Sequence, residues 1–169
     1  MELLMSVQSA GIILYRFIDA KLQVMLVHPG GPHWAKREDG AWSIPKGIYE
    51  KDEDPLAAAK REFREETGHE VDGVFIDLGE IKQPSRKIVH AWALKHNFDT
   101  SKIVSNLFSI EWPPRSGKIQ QFSEVDRAQW FEVQEAKKKI LKGQRPFLER
   151  LMQQLDYIPK NTEVAHYFE

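Results

Sequence analysis

Glu62, Glu65 and Glu66 crowd little more than one helical turn within the segment GIYEKDEDPLAAAKREFREETGH at residues 47–69. At about 100° per residue, the three side chains share a sector roughly 100° wide. Like charges at i, i+3 and i, i+4 destabilise a helix by about 0.2–0.5 kcal/mol per pair. Their place near the helix C-terminus also opposes the macrodipole. A divalent cation reverses the sign of this cost. Mg²⁺ prefers oxygen ligands and commonly shares them between a few carboxylates and substrate phosphates. The competing reading is a solvated face on which Arg61 pairs with Glu65 and Lys60 and Arg64 serve the remaining acids. Charge alone leaves both readings open.

The elements around this segment are what must position it. Asp54 suits an N-cap, Pro55 the first helical position and Gly68 the residue just past the end, so a helix is expected between them. Leu56, Ala59 and Phe63 form an apolar face at i, i+3 and i+7 that adjoins the acidic sector without overlapping it. One helix can therefore pack on a sheet and coordinate a cation at once. Upstream, the apolar and β-branched runs at 9–17 and 22–28 flank a polar turn and read as a hairpin. Residues 29–40 have loop composition, and 42–44 read as a short strand leading to Gly47. Downstream, strands are expected at 74–81, 87–94 and 129–133. Helices are expected at 135–142, ending at Gly143, and from Pro146 with Leu148, Leu151 and Leu155 inward. Residues 99–124 read as a long irregular excursion, a length that usually signals function. A mixed sheet with helices on its faces gives the α/β class.

Composition bounds the function. With 169 residues, 41% apolar and 29% charged, the chain suits one globular domain. A net charge of −1 offers neither a nucleic-acid footprint nor a polybasic membrane patch. Cysteine is absent, which removes disulfides and thiolate metal sites and fits a reducing compartment. The first five residues lack the charged and apolar regions of a signal peptide, and no apolar run approaches a membrane span. The cytoplasm is the expected location.

Gly47, Glu53, Arg61, Glu62, Glu65, Glu66 and Gly68 together resemble the Nudix box, the signature of Mg²⁺-dependent hydrolases that cleave a diphosphate linked to another moiety. At about 6–7% frequency per residue, a chance match is on the order of 10⁻⁸ per starting point. The pattern departs at His69, where the family carries an aliphatic residue, and Phe63 fills a usually aliphatic position. The resemblance implies an α/β/α sandwich spanning residues 1–169 as a single domain. It implies that the Gly47 carbonyl and Glu62, Glu65 and Glu66 hold Mg²⁺ or Mn²⁺. Arg61 and Glu53 would orient those ligands. Glu124, six residues before Trp130, matches a further family glutamate that serves as metal ligand or general base; its bland alternative is a surface acid beside Asp126 and Arg127. Which glutamate is the base, Glu65 or Glu124, stays open.

Two further stretches narrow the branch. Trp42-Ser43-Ile44-Pro45-Lys46-Gly47 resembles the entry segment of Nudix enzymes that cleave dinucleoside polyphosphates asymmetrically, with Lys46 facing substrate phosphate. The Trp112-Pro113-Pro114-Arg115-Ser116-Gly117 segment is similar to a MutT-like bacterial subgroup of NTP pyrophosphohydrolases. Arg115 and Lys118 could bind phosphate, and Trp112, Trp34 or Phe108 could stack on a base, although anchoring a local core serves Phe108 equally well. His33 and His90 lack metal-ligand spacing. The implied substrate is a nucleotide or other diphosphate, with ADP-ribose, a nucleotide sugar and a non-catalytic nucleotide-binding module as alternatives. No nucleic-acid or membrane partner is expected, and the chain would act as a monomer or homodimer.

Overall fold

The two-residue turn at Asp19 and Ala20, both at positive φ (51° and 62°), closes the first hairpin and sets its register. Primed turns of this kind match the right-handed twist of the strands they join. In the computed structural model, which describes residues 7–160, β1 (Gln8–Ile18) and β2 (Lys21–Pro29) pair antiparallel from Ile18 and Lys21 inward. β1 is nearly all apolar because both its faces are covered. Ile12 and Leu14 point to one core, while Ile13 and Tyr15 point to the other.

β3 (Lys46–Ile48) pairs antiparallel with the start of β1, with Gly47 opposite Ala10. α1 (Pro55–Thr67) follows, then β4 (Phe75–Lys82) and β5 (Ile88–Lys95). β5 runs parallel to β1, so the strand order is β4-β5-β1-β2 and then β8 (Val125–Glu132). α1 covers one face through Ala58, Ala59 and Phe63. α2 (Val133–Lys139) and α3 (Arg145–Gln154) cover the other through Val133, Ala136, Leu148 and Leu151. This is a mixed-sheet α/β/α sandwich. Among the described residues no helix is long and apolar enough to cross a membrane. The expectation drawn from the first five residues lies outside the described part of the chain.

Three local expectations are corrected. The irregular stretch at 99–124 contains a short 3₁₀ turn (Thr100–Lys102) and then a separate two-stranded hairpin, β6 (Leu107–Glu111) and β7 (Ile119–Ser123). Its alternation, Phe108 and Ile110 inward with Leu107 and Ser109 outward, is too short to stand out beside two prolines and a glycine. Residues 42–44 form no strand. Ser43 makes one isolated bridge to Val27, and the strand begins at Lys46. Residue 133 opens α2 instead of closing the last strand, and Gly143 lies in a 3₁₀ turn (Lys142–Gln144) beyond the end of α2. Leu148 and Leu151 are fully buried as expected, with Leu155 half-buried.

Candidate active site

α1 is capped as its sequence dictates. The Asp54 carboxylate accepts the Ala57 N–H at 2.9 Å, and Gly68, at φ 79°, donates its N–H to the Arg64 carbonyl at 2.7 Å. Two further carbonyls of the last turn find partners from elsewhere. Val104 N–H donates to the Thr67 carbonyl and Asn106 N–H to the Glu65 carbonyl, each at 2.9 Å. The Asn106 carbonyl then accepts the Glu124 N–H at 2.8 Å, and the Glu124 carbonyl accepts the Gly30 N–H at 2.8 Å. Gly30 cannot carry a side chain, because a Cβ there would overlap the Ser123 carbonyl. A ladder of main-chain bonds thus runs from the acidic helix to Glu124 across a long sequence gap.

Glu124 arrives close enough to Glu62, Glu65 and Glu66 for their charges to repel. Glu62 is buried, and its carboxyl is pushed above the usual range by burial and then by Glu65, against the pull of Arg61. Glu124 is raised by burial and by Glu65. Glu66 is pushed up to about 8, chiefly by burial; Glu62 and Glu124 add to this, while the Lys46 N–H (3.2 Å) and ammonium oppose it. The Lys46 ammonium is depressed by its own burial and by Lys87, with Glu66 and Glu62 opposing. Burial therefore drives Lys46 and Glu66 both toward their neutral forms.

Arg61 serves as the common tether of the box. Its guanidinium donates to Glu62 at 2.9 Å, to Glu65 at 3.3 Å and to Glu53 at 3.2 Å. The ion-pair alternative raised by the sequence is thus realised for Glu65, and Arg61 serves Glu62 as well, whereas Lys60 and Arg64 turn away to Asp72 and Glu70. Among the described residues Glu66 and Glu124 have no ion-pair partner, and no three acidic or histidine side chains are already gathered as a metal cage.

The donor set nevertheless fits a hard divalent cation. A Cβ on Gly47 would fall on the Glu62 carboxylate, so the missing side chain is what lets β3 approach α1 there. The acids offer only oxygen, the donor type that Mg²⁺ and Mn²⁺ accept. A bound cation would offset the burial that raises the Glu66 carboxyl. Stability should report this directly. Between about pH 5 and 8 the folded chain holds a proton on Glu66 that the unfolded chain has released, so stability without metal falls as pH rises. Thermal midpoints in chelator should drop across that window, and the drop should shrink with Mg²⁺ present or in Glu66→Gln. A flat profile in chelator would contradict this account.

The hairpin residues lie elsewhere. Glu124 adjoins the Leu107–Ser123 pair, whereas Trp112, Arg115 and Lys118 sit beyond the Glu111–Ile119 pair, about 13 Å further along the strands. The structure does not bring them to the acidic cluster. Trp112 packs edge-on against His33, with ring centroids 5.2 Å apart. Phe108 fills the space over Gly31, and Trp34 lies under Arg37. Trp112 and Phe108 clasp the hairpin to the 30–37 loop, while Arg115 and Lys118 are exposed. His90 bonds Asp77 at 2.7 Å and stacks on Trp92, a structural role. Sequence reasoning missed Lys87. Only the parallel pairing of β5 with β1 sets it within electrostatic reach of Lys46, and no local pattern announces that pairing.

The NUDIX domain family model matches residues 5–151. No curated protein matches the chain. Among solved structures, an Ap4A hydrolase binary complex from C. elegans is 21% identical, with TM-score 0.56, covering 89% of this chain and 98% of that one. The NUDIX domain of Shewanella oneidensis NrtR, complexed with ADP ribose, is 15% identical with TM-score 0.61, covering 89% of each chain. The E. coli ORF135 protein is 23% identical with TM-score 0.55, covering 92% of this chain and 94% of that one. At these identities the likeness concerns fold. Because the family model spans most of the sequence, the chain belongs to the NUDIX domain family and is a Nudix hydrolase.

Proposed function

We propose that this hydrolase uses Mg²⁺ or Mn²⁺ to cleave a phosphoanhydride bond in a nucleoside polyphosphate, either a dinucleoside polyphosphate or an NTP. The observation that carries the reading is that Glu62 lies against Gly47 while Glu62, Glu65, Glu66 and Glu124 lie within electrostatic reach of one another, with Lys46 beside Glu66. Carboxylates would hold the metal, and the Lys46 ammonium would hold phosphate oxygens outside it. The bound ion would neutralise phosphate charge and ease deprotonation of the attacking water.

The chain's own groups supply the rest. The Gly47 carbonyl, Glu62, Glu65 and Glu66 would hold the ion as ligands. Arg61, anchored by Glu53, keeps Glu62 and Glu65 oriented. Glu124, held through its main chain, takes the proton of the attacking water, with Glu65 as the neighbouring candidate. Lys46 binds and orients a phosphate. The NrtR domain, whose structure holds ADP ribose, and the Ap4A hydrolase together support nucleotide recognition by this fold. The absence of cysteine suits a reducing cytoplasm.

The test is a panel of dinucleoside polyphosphates, NTPs, ADP-ribose and nucleotide sugars, with products identified by mass. Metal-dependent turnover highest on the polyphosphates supports the proposal; preferential cleavage of ADP-ribose overturns the substrate assignment. Tight nucleotide binding without turnover of any substrate would make the chain a binding module. Glu124→Gln should lower kcat by about 10²-fold or more with KM nearly unchanged, as loss of a general base does. Full activity in that variant removes Glu124 from the chemistry.

A further inference from the structure

Gln144 is a fully buried polar side chain that no step above uses. It lies at the end of the 3₁₀ turn just before α3, about a hundred positions along the chain from what it touches. Its Oε1 accepts the Ile44 N–H at 3.0 Å, and its Nε2 donates to the Ser43 hydroxyl at 3.0 Å. Ser43 in turn donates to the Ile44 carbonyl at 2.8 Å. Residues 43–45 have no strand partner along this side: Ser43 exchanges both its main-chain bonds with Val27, at 2.8 and 2.9 Å, and the Pro45 carbonyl takes the Ile12 N–H at 3.1 Å. The Gln144 carboxamide therefore stands in for a missing strand, meeting the one N–H that the sheet leaves over.

The next residues along the chain are Lys46 and Gly47. The Lys46 N–H bonds Glu66, and its ammonium is the half-buried cation beside the acidic cluster. We infer that Gln144 is a positioning residue: its carboxamide sets the path of residues 43–46 and thereby the placement of the Lys46 ammonium against substrate phosphate. This rests on the phosphate-binding role proposed for Lys46. An apolar residue at 144 would leave the Ile44 N–H without an acceptor in a dry site. The segment would then shift to find one, and Lys46 would move with it.

The experiment is a double-mutant cycle on the full chain, using Gln144→Leu and Lys46→Gln, with circular dichroism and thermal midpoint recorded for each variant. Gln144→Leu should raise KM for the best nucleoside polyphosphate by about tenfold while kcat stays within a few-fold. In the Lys46→Gln background the same change should add almost nothing, because the group it places is gone. Gln144→Glu keeps an acceptor for Ile44 and regains a donor when protonated. Its KM should approach wild type at acid pH and rise toward alkaline pH, and it serves as the test if the leucine variant does not fold. A lowered midpoint with unchanged KM, or a KM effect that adds fully to that of Lys46→Gln, overturns the inference. Wild-type KM in Lys46→Gln itself overturns the phosphate role of Lys46, and the positioning role with it.

Discussion

Glu66→Gln is expected to abolish turnover almost completely, lowering kcat by roughly 10³-fold or more while the chain stays folded. The Glu66 carboxyl is pushed up to about 8, chiefly by burial, with Glu62 and Glu124 adding to it. A carboxylate in that setting becomes charged at neutral pH only when a cation arrives to share the site. Glutamine keeps the shape and still accepts the Lys46 N–H, now bonded at 3.2 Å, but carries no charge to offer. The fold should therefore tolerate the change, and the metal-free variant should be at least as stable as wild type near pH 8. Circular dichroism, thermal midpoint with and without Mg²⁺, and kcat decide the matter. Activity within a few-fold of wild type would show that Glu66 is not an essential ligand.

Gly47→Ala is expected to cost at least about 10²-fold in activity through geometry alone. The added Cβ falls on the Glu62 carboxylate, so one of the two must move. Glu62 is tied to Arg61 at 2.9 Å, and Gly47 is fixed by strand pairing opposite Ala10, so neither yields cheaply. The substitution adds a single methyl group and changes no charge. It separates a steric requirement at this position from an electrostatic one. Metal titration by calorimetry should show weaker Mg²⁺ or Mn²⁺ binding together with the rate loss. Unaltered affinity and rate would mean that the approach of β3 to α1 is looser than described.

Much of this site was legible in the residues before any coordinates. The cap residues Asp54 and Gly68 fixed the limits of α1, and both cap it as expected, because capping is a local matter of one side chain and one backbone conformation. The apolar face of Ala59 and Phe63 also packs as its period required. Glu124 was reachable by its distance from Trp130, but the reason for its arrival was not. That reason is a chain of main-chain bonds through Val104 and Asn106, and main-chain bonding leaves no mark on residue identity. The 107–123 hairpin escaped notice for a related cause: its strands are short, half-exposed and joined through a turn rich in proline and glycine. Lys87 and Gln144 escaped because each acts across a tertiary pairing that no local period encodes.

The fastening of Glu124 has an evolutionary corollary. Every bond that carries it to α1 uses backbone atoms, apart from the Ser105 hydroxyl, which accepts the Val125 N–H at 3.0 Å. Apart from Phe108 and Trp112, which pack on the 30–37 loop, the side chains between Leu107 and Ser123 are thus under little obligation to the chemistry. Mutational drift or laboratory selection can rewrite that arm, its tip included, while the acid stays in register. Such an arrangement lets a lineage exchange one appendage and leave the hydrolytic centre as it was.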